Sequence, residues 1–463
     1  MKFTRKGYGQ LRRADDTVVS QHTVPEEAYE RASAEPPGVY TWHPARIEIE
    51  VQAAPVPAPV PAPAPAPAPA PSPVPAPVPA PAPAPTPVPA PAPAPVGGLL
   101  QKADLVYLGA FRVPQGTSDL NTFDYGGTAL GLGASGLFMT GHDWHQFSAE
   151  ISIPTPAKGS TLSSLPRATL IQPFGDPTEG KLGQINPNDP NSKKIGGHLV
   201  YNGNLYVTGW SYYDGSGTQN ASHFRRPLNL SSSGQVVGPV RVGSQYPGFV
   251  HGYMTLIPPE WRASFGGPAL TGHGGAAIDS LQSAGPAASV FDPEKIGTVN
   301  PVPATPVVGY PLANSLAGKG GAQTGGGNAW WGSSSQVRGV VFPDGTRSVL
   351  FFGRHGSGAY CYGTGGTSGQ CYDPADGSKG THNYPYHHQV WAYDANDLLA
   401  VKAGTKLEHE ILPYAVWTLD LPFASANSSH EIGGAAYDPA TRRIYVAQRY
   451  ADGTAPVVAV FQV

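Results

Sequence analysis

The sequence predicts an all-β protein dominated by a fivefold repeat, with a proline-rich stalk and a small α+β module before it. Every odd position from 55 to 95 is proline, which separates about 50 residues from about 365. The longer part repeats a hairpin five times, each followed by further strand-like runs, and it shows no convincing long helix. Four-stranded units in a closed ring are typical of a β-propeller, so we expect five blades in residues 98–463.

Residues 1–52 show a strand–helix–strand pattern after a basic start. DDTVVSQHT predicts a strand entering a turn, VPEEAYERASAE a short helix, and PGVYTWHPARIEIEVQ two short strands. The pattern resembles short N-terminal modules of phage structural proteins over about 40 residues. The resemblance implies that residues 1–52 attach the chain to other virion or surface proteins.

Residues 53–97 pair proline with alanine or valine almost throughout. Alternating proline fixes φ and extends the intervening residues, so we expect a polyproline II linker. At a rise of about 3.1 Å per residue, it could hold its ends up to roughly 130 Å apart.

The composition predicts where the chain works. The start, MKFTRKGYGQLRRADD, is basic but lacks the apolar segment of a classical signal peptide. Few lysines, many glycines and the stalk favour a virion or extracellular setting, reached by phage assembly or by signal-independent secretion. The net charge of −3 argues against a nucleic-acid partner held by a basic field. No apolar run approaches the length of a membrane span.

The repeated unit is a strand, a tight turn and a second strand that ends in a glycine-containing cluster. The turns include Asn202-Gly203 and Pro343-Asp344-Gly345, which are hairpin signals. In chain order, the five hairpins occupy 125–145 (blade one), 195–215 (blade two), 251–275 (blade three), 337–358 (blade four) and 432–453 (blade five).

The two ends of the repeat region predict how the ring closes. Blade five has only one further strand, APVVAVFQV, before the sequence ends. LVYLGAFRV at 105–113 can supply the missing strand, which would remove the open edge. The alternative is a β-sandwich of the same short strands, but a repeated hairpin with a repeated terminal cluster is not its pattern.

The two cysteines, Cys361 and Cys371, lie ten residues apart in a loop rich in glycine. Glycine and serine between them let the ends meet, which favours a disulfide over two free thiols. Such a bond would stabilise the loop by roughly 2–3 kcal/mol. No further ligands stand at the spacing of a zinc site.

Strand-one starts and strand-two ends of all blades should meet around one mouth of the central channel. The starts bring Asp124, Tyr125, His198, His251, Arg338, His430 and Glu431. The ends bring His142, Asp143, His145, Trp210, Tyr212, His273, Arg354, His355 and Arg449. Nearby loops add Trp330, Trp331, His382, His387 and His388.

Three interpretations of this face compete with a polar but idle surface. The first is glycan binding by His142, His145, His198, Trp210, Tyr212, His251, His273, Arg354, His355, His430 and Arg449. The second is glycoside hydrolysis, which needs paired carboxylates; the candidates are Asp124, Asp143 and Glu431. The third is a divalent metal ion in the channel, held by His198, His251 and His430 and joined by His142.

The inferred architecture resembles five-bladed propellers of the arabinanase and invertase kind, which place acidic residues at this kind of mouth. Their sequence motifs are not matched, so the resemblance assigns no catalytic role. We expect a stalked propeller that binds a glycan or cell-surface polysaccharide. The alternatives are a glycoside hydrolase acting on a surface polysaccharide and a structural decoration protein without a ligand.

Overall fold

The structure is a computed structural model. It describes the backbone at 9–13, 18–22, 38–43 and 47–51, and it describes 97–463 except 117–119, 190–191, 276–280, 319–329 and 424. The chain divides into two units, Met1–Pro87 and Val88–Val463. The predicted stalk and the predicted N-terminal helix lie outside the described residues.

Four strands are described in the first unit: β1 (Gly9–Arg13), β2 (Val18–His22), β3 (Gly38–His43) and β4 (Ile47–Val51). They form an antiparallel sheet in the order β2-β1-β3-β4. The sequence predicted the last three. It did not predict β1, because GQLRR has no alternation of apolar and polar residues.

The second unit contains five four-stranded antiparallel sheets, which confirms the five-bladed β-propeller. The first strand in the chain, β5 (Val106–Arg112), belongs to blade five. Blade one consists of β6 (Leu130–Leu132), β7 (Leu137–Thr140), β8 (Ser148–Ile151) and β9 (Leu170–Gly175). Blade two consists of β10 (Lys193–Tyr201), β11 (Asn204–Ser211), β12 (His223–Pro227) and β13 (Val237–Val240).

Blade three consists of β14 (Met254–Leu256), β15 (Ala269–Thr271), β16 (Ala288–Phe291) and β17 (Ala304–Val308). Blade four consists of β18 (Gln336–Val341), β19 (Ser348–Gly356), β22 (Tyr386–Asp394) and β23 (Ala415–Thr418), with the small hairpin β20 (Cys361–Thr364) and β21 (Lys379–His382) inserted. Blade five joins β24 (Ile432–Asp438), β25 (Arg443–Asp452) and β26 (Ala455–Gln462) to β5.

The first strands of the blades form a closed ring. β6 contacts β10, β10 contacts β14, β14 contacts β18, β18 contacts β24, and β24 contacts β6. In blade five, β26 pairs with β5 from Val457 opposite Arg112 to Gln462 opposite Val106. The strand predicted at 105–113 therefore closes the ring.

Each junction between neighbouring blades has its own apolar core. Between blades four and five, for example, Leu350 and Phe352 pack with Ile432 and Val446. The other four junctions have equivalent clusters. The blades are therefore held face to face by buried apolar side chains.

Two helices and the insertion depart from the simple repeat. The helix α1 (Pro259–Phe265) replaces the tight turn expected in blade three, and α2 (Ala395–Lys402) follows β22. No described helix is long and apolar enough to cross a membrane. The predicted disulfide between Cys361 and Cys371 is present in the insertion of blade four.

A β-bulge recurs at the start of the first strand in three blades. The unpaired residue is Gly196 in blade two, Arg338 in blade four and Gly433 in blade five. A Cβ on Gly196 would lie 2.3 Å from the carbonyl oxygen of His251, and one on Gly433 would lie 1.8 Å from that of Gly127. Glycine at these two bulges therefore allows the next blade to pack closely.

Replacing Gly433 with alanine is expected to destabilise the propeller by about 1–3 kcal/mol, because the added methyl group has to displace the backbone of blade one. Urea unfolding of the two proteins measures the difference. Gly380→Ala is the control, since a Cβ there meets nothing within 4 Å; it should change the free energy of unfolding by less than about 0.5 kcal/mol. Equal effects of the two substitutions would contradict this packing.

Candidate functional site

Side chains from different blades meet at one mouth of the channel, hereafter the mouth. Lys194 on β10 forms an ion pair of 2.6 Å with Asp143, which follows β7. Arg354 at the end of β19 lies 3.1 Å from Glu431, which precedes β24. The guanidinium of Arg338 lies 5.0 Å from the ring centre of Trp210 at the end of β11. These contacts link blades one, two, four and five.

Glu431 is held by two arginines. One carboxylate oxygen accepts from Arg354 Nη1 at 3.1 Å, and the other accepts from Arg449 Nη1. Burial alone would raise the pKa of Glu431, but the charges of Arg449, Arg354 and Arg338 outweigh burial and lower this pKa. Glu431 therefore carries a negative charge at neutral pH, and its proton is not available for general acid catalysis.

Arg449 also fixes the junction of blades five and one. Its Nε donates to the Gly126 carbonyl at 3.3 Å, and its Nη2 donates to the Tyr125 carbonyl. The guanidinium lies 4.8 Å from the ring centre of Tyr450. Tyr125 and Tyr450 both have left-handed backbone, with φ of 57° and 59°. Strained non-glycine backbone of this kind is common at functional sites.

A second group lies between blades two, three and four. We call Trp210, His251, His273 and Arg338 the Trp210 cluster. The rings of His251 and His273 are 4.3 Å apart, and Trp210 lies 6.3 Å from the first and 5.8 Å from the second. Trp210 is 2% exposed and each histidine 1%, whereas Arg338 is partly exposed. Arg338 therefore covers a buried polar group of rings.

Both histidines of the cluster are neutral at physiological pH. Burial, with a smaller contribution from the Arg338 charge, lowers the pKa of His273 to about 3. Burial and the neighbouring His273 hold the pKa of His251 well below its ordinary value. His251 Nδ1 is 3.2 Å from Gln219 Oε1, which also accepts from the Ser211 amide. Nδ1 is therefore the donor, and His251 Nε2 carries a lone pair.

Four polar atoms of the cluster have no hydrogen-bond partner among the described residues: Trp210 Nε1, His251 Nε2, His273 Nε2 and Arg338 Nε. A buried polar atom without a partner costs about 1–3 kcal/mol. Trp210 and Arg338 can only donate, whereas His251 Nε2 accepts. The cluster thus offers both donors and acceptors, which suits a ligand with hydroxyl groups.

Aromatic side chains surround the mouth. His142 lies between Tyr125, at 5.7 Å, and the exposed Trp144, at 5.4 Å between ring centres. Tyr212 is half-exposed and lies 6.3 Å from Trp210. Burial raises the pKa of Tyr212, and the charges of Asp376 and Asp143 add to this effect. Because Asp376 belongs to the insertion of blade four, this insertion lies within electrostatic range of Tyr212 in blade two.

Of the residues predicted for the mouth, His198 lies in the core, whereas His145 and Asp124 are held by neighbours in blades one and five. His198 is the sixth residue of β10, and its Nε2 is 3.0 Å from Ser148 Oγ in the interior of blade one. It corresponds to Val340 and Ala435 of the other bulged strands, so its position is one of core packing. His145 stacks on Phe147 with ring centres 3.5 Å apart. Asp124 accepts a hydrogen bond from Thr454 Oγ1.

The three histidines predicted to hold a metal ion have different neighbours. His198 contacts Ser148, His251 contacts His273, and His430 lies 5.1 Å from the His388 ring. In the part of the chain that the structure describes, no group of three or more His, Cys, Asp or Glu side chains could hold a metal ion. The residues proposed from the sequence therefore do not fit a shared metal ion.

Two residues that complete the mouth were missed by the sequence prediction. Lys194 pairs with Asp143, and Tyr450 stacks on Arg449. Lys194 directly precedes Ile195, the first residue of the predicted blade-two hairpin, and Tyr450 directly follows Arg449, a predicted strand-two end. Arg338 was predicted at the mouth but was not assigned to ligand binding. The sequence could have indicated its role, because arginine stands there where blades two and five have glycine.

Two of the cavities in the described part of the chain are lined by residues outside the Trp210 cluster. One of about 400 Å³ is lined by His355, His387, Gln389, Trp330 and Tyr414 with its neighbours in blade four. His355, predicted for the mouth, therefore faces this cavity, 6.4 Å from the Trp391 ring. The other, of about 530 Å³, is lined by Gln184, Asn220, Arg241 and Asn300 with their neighbours. Neither cavity includes Glu431 or the Trp210 cluster.

No family model and no curated protein sequence matches the chain. Solved structures resemble it at low identity. One is a glycoside hydrolase of the GH130 family of mannoside phosphorylases, which targets β-1,2 mannosidic linkages in Candida mannan; identity is 10%, coverage 79% of this chain and 97% of the other, and the TM-score 0.39.

Two further solved structures are similar. A GH43 endo-arabinanase from Bacillus licheniformis is 13% identical over 75% of this chain and 96% of its own, with a TM-score of 0.34. A luciferin-regenerating enzyme is 8% identical over 80% of this chain and 96% of its own, with a TM-score of 0.30. At these values the likeness concerns the fold alone.

Proposed function

We propose that the mouth of the propeller binds carbohydrate. The observation that carries this proposal is the Trp210 cluster, where buried donors and acceptors without partners lie beside aromatic rings. Sugars present alternating hydroxyl groups and apolar ring faces, so they match this set of groups once Arg338, which covers the buried rings, moves aside. Ligand sites in proteins commonly combine aromatic walls with a few placed polar groups in this way.

Glycoside hydrolysis at the same mouth is the second candidate. It is favoured by one observation: Asp143 and Glu431, from blades one and five, both act electrostatically on Arg338. A hydrolase needs one carboxyl group as a proton donor. The lowered pKa of Glu431 opposes that role, and Asp143 is paired with Lys194. Binding without turnover is therefore the function that the geometry supports best.

A glycan array probed with the full chain, with release of reducing ends assayed on the same oligosaccharides, tests both candidates. We expect binding and no release. Release that Glu431→Gln or Asp143→Asn abolishes, with binding retained, would establish the hydrolase instead. If no oligosaccharide is bound or cleaved, the carbohydrate proposal is wrong and the structural role without a ligand gains support.

Replacing Tyr212 with alanine is expected to weaken glycan binding by about 1–3 kcal/mol, by analogy with the stacking of bases on aromatic side chains. Tyr212 is 45% exposed, so its loss should leave the melting temperature nearly unchanged. Tyr213→Ala is the matched control: Tyr213 is 42% exposed, and among the described residues the ring contacts of Trp210 are with Tyr212, His251 and His273. Titration calorimetry with the best glycan of the array compares them; equal losses would contradict a site at the mouth.

The setting of this activity stays a prediction from the sequence. Residues 1–52 are proposed to attach the chain to other virion or surface proteins, with residues 53–97 as a spacer. A virion or extracellular location follows from the same reasoning. Pull-down of assembled particles or secreted material with an antibody to the propeller would test it.

A further inference from the structure

The positive charge of Arg338 is not compensated within the mouth. The charged side chains that act on it are two cations, Arg449 and Arg354, and two anions, Glu431 and Asp143. The cations are themselves paired with Glu431, and Asp143 is paired with Lys194. Among the described residues, the Arg338 guanidinium has a cation–π contact with Trp210 but no ion pair or hydrogen-bond partner for Nε.

The fold does not require a charge at this position. Arg338 occupies the bulge that glycine occupies in blades two and five. Ile195 and Ile432 precede those glycines as Val337 precedes Arg338, and a glycine follows in all three blades. Blade four thus keeps the pattern of the repeat and adds a long cationic side chain that reaches Trp210 across the mouth. A charge placed where the repeat needs none points to a ligand.

The chemistry of the surroundings indicates the sign of that ligand. Burial is the main cause that lowers the pKa of Arg338 to about 10, so the side chain remains charged at neutral pH. The four cations of the mouth, Arg338, Arg354, Arg449 and Lys194, outnumber its two anions, Glu431 and Asp143, so a cationic ligand would be repelled. An oxyanion would be attracted by this excess of positive charge and could accept two parallel hydrogen bonds from the Arg338 guanidinium. His251 Nε2 remains as an acceptor for an adjacent hydroxyl group.

We propose that the glycan bound at the mouth is acidic, with its oxyanion bound by Arg338 and its hydroxyl groups by the buried rings of the Trp210 cluster. This inference rests on the proposed carbohydrate binding. A carboxylate, a sulfate or a phosphate ester would meet the same guanidinium. The ligand class is therefore an anionic oligosaccharide, and neutral oligosaccharides of the same backbone bind weakly.

The test uses the full chain and matched pairs of oligosaccharides. Oligogalacturonate is compared with its carboxyl-reduced form, and sulfated and phosphorylated oligosaccharides with their unmodified forms. We expect at least one acidic member to bind about 10- to 100-fold more tightly than its neutral partner, the worth of a charge-assisted hydrogen bond. The pair that shows the difference identifies the oxyanion.

Variants then assign the preference to Arg338. Arg338→Gln should remove the difference between acidic and neutral forms, and Arg338→Lys should keep part of it. Arg262→Gln is the matched control, because Arg262 lies 6.0 Å from the ring centre of Tyr201, outside the mouth; it should bind like the parent. Melting temperatures of all variants show that they are folded.

The outcomes separate the two proposals. If neutral forms bind as tightly as acidic ones, or if Arg338→Gln keeps the acidic preference, the anionic specificity is wrong while carbohydrate binding stands. If no member of any pair binds, both proposals are wrong. If Arg338→Gln fails to fold, Arg338→Lys is used instead. A preference of Arg338→Lys for acidic over neutral oligosaccharides that equals that of the parent would contradict a bidentate contact with Arg338. A reduced preference would support this contact.

Discussion

A chain shortened to begin at Gln115 will be insoluble or will unfold far below the temperature at which a chain beginning at Gly97 unfolds. The shortened chain lacks β5, which pairs with β26 along its length and completes the fourth position of blade five. Its removal exposes the edge of β26 and the apolar core between blades five and one. Thermal unfolding followed by circular dichroism measures the difference, and equal melting temperatures would contradict the closed ring.

Point substitutions on β5 show whether the shortened chain is unstable because it lacks the packing of β5 or only because it is shorter. Phe111 is fully buried, and replacing it with alanine should cost about 3–5 kcal/mol. Val106 lies on the same strand but is 51% exposed, so Val106→Ala should cost less than about 0.5 kcal/mol. Similar losses at both positions would mean that β5 is not packed against blade one.

Lowering the pH from 7 to 5 will destabilise the propeller by an amount on the order of 10 kcal/mol, because each of five buried histidines contributes about 2 kcal/mol. Burial is the main cause that lowers the pKa of five histidines: His198 to about 4, His223, His273 and His388 to about 3, and His251 well below its ordinary value. In the unfolded chain the same side chains bind protons below pH 6.5, so the unfolded state binds more protons and is favoured as the pH falls.

The effect has a defined pH window and a test. The loss begins near pH 6.5 and continues towards pH 3, where the folded histidines begin to bind protons. Glu431 does not contribute to the loss of stability at pH 5. Its pKa is lowered in the folded state, so the stabilisation from its ion pairs is lost only as the pH falls below 4.5, the ordinary pKa of a glutamate. Urea unfolding at pH 7, 6 and 5 measures the slope. His388→Gln should reduce it; a flat profile would show that these histidines are not buried and neutral.

The blades could be predicted from the sequence because each repeated unit is formed by residues that are contiguous in the chain. Hairpin turns such as Asn202-Gly203, the strand runs that follow them and the unpaired end of blade five are all contiguous patterns. The disulfide was also predictable, since ten residues separate Cys361 and Cys371. The helix α1 was not predicted because it replaces the tight turn of the repeat, although its Pro259 is a residue favoured in a first helical turn.

The mouth was harder to predict because its contacts join residues that are far apart in the chain. Nothing near Glu431 in the sequence indicates that Arg354, 77 residues away, pairs with it. His198 illustrates the opposite case. Aligning IGGH with VRGV and IGGA would have placed it opposite Val340 and Ala435, both core positions, and would have shown Arg338 as the residue that departs from the repeat.

The most direct test of ligand binding at the mouth is a crystal structure of the protein with the tightest glycan of the array. We predict a sugar within hydrogen-bonding distance of His251, His273 and Arg338, beside Trp210. A glycan bound instead in the cavity beside Trp330 and Tyr414, with the mouth unchanged, would contradict it.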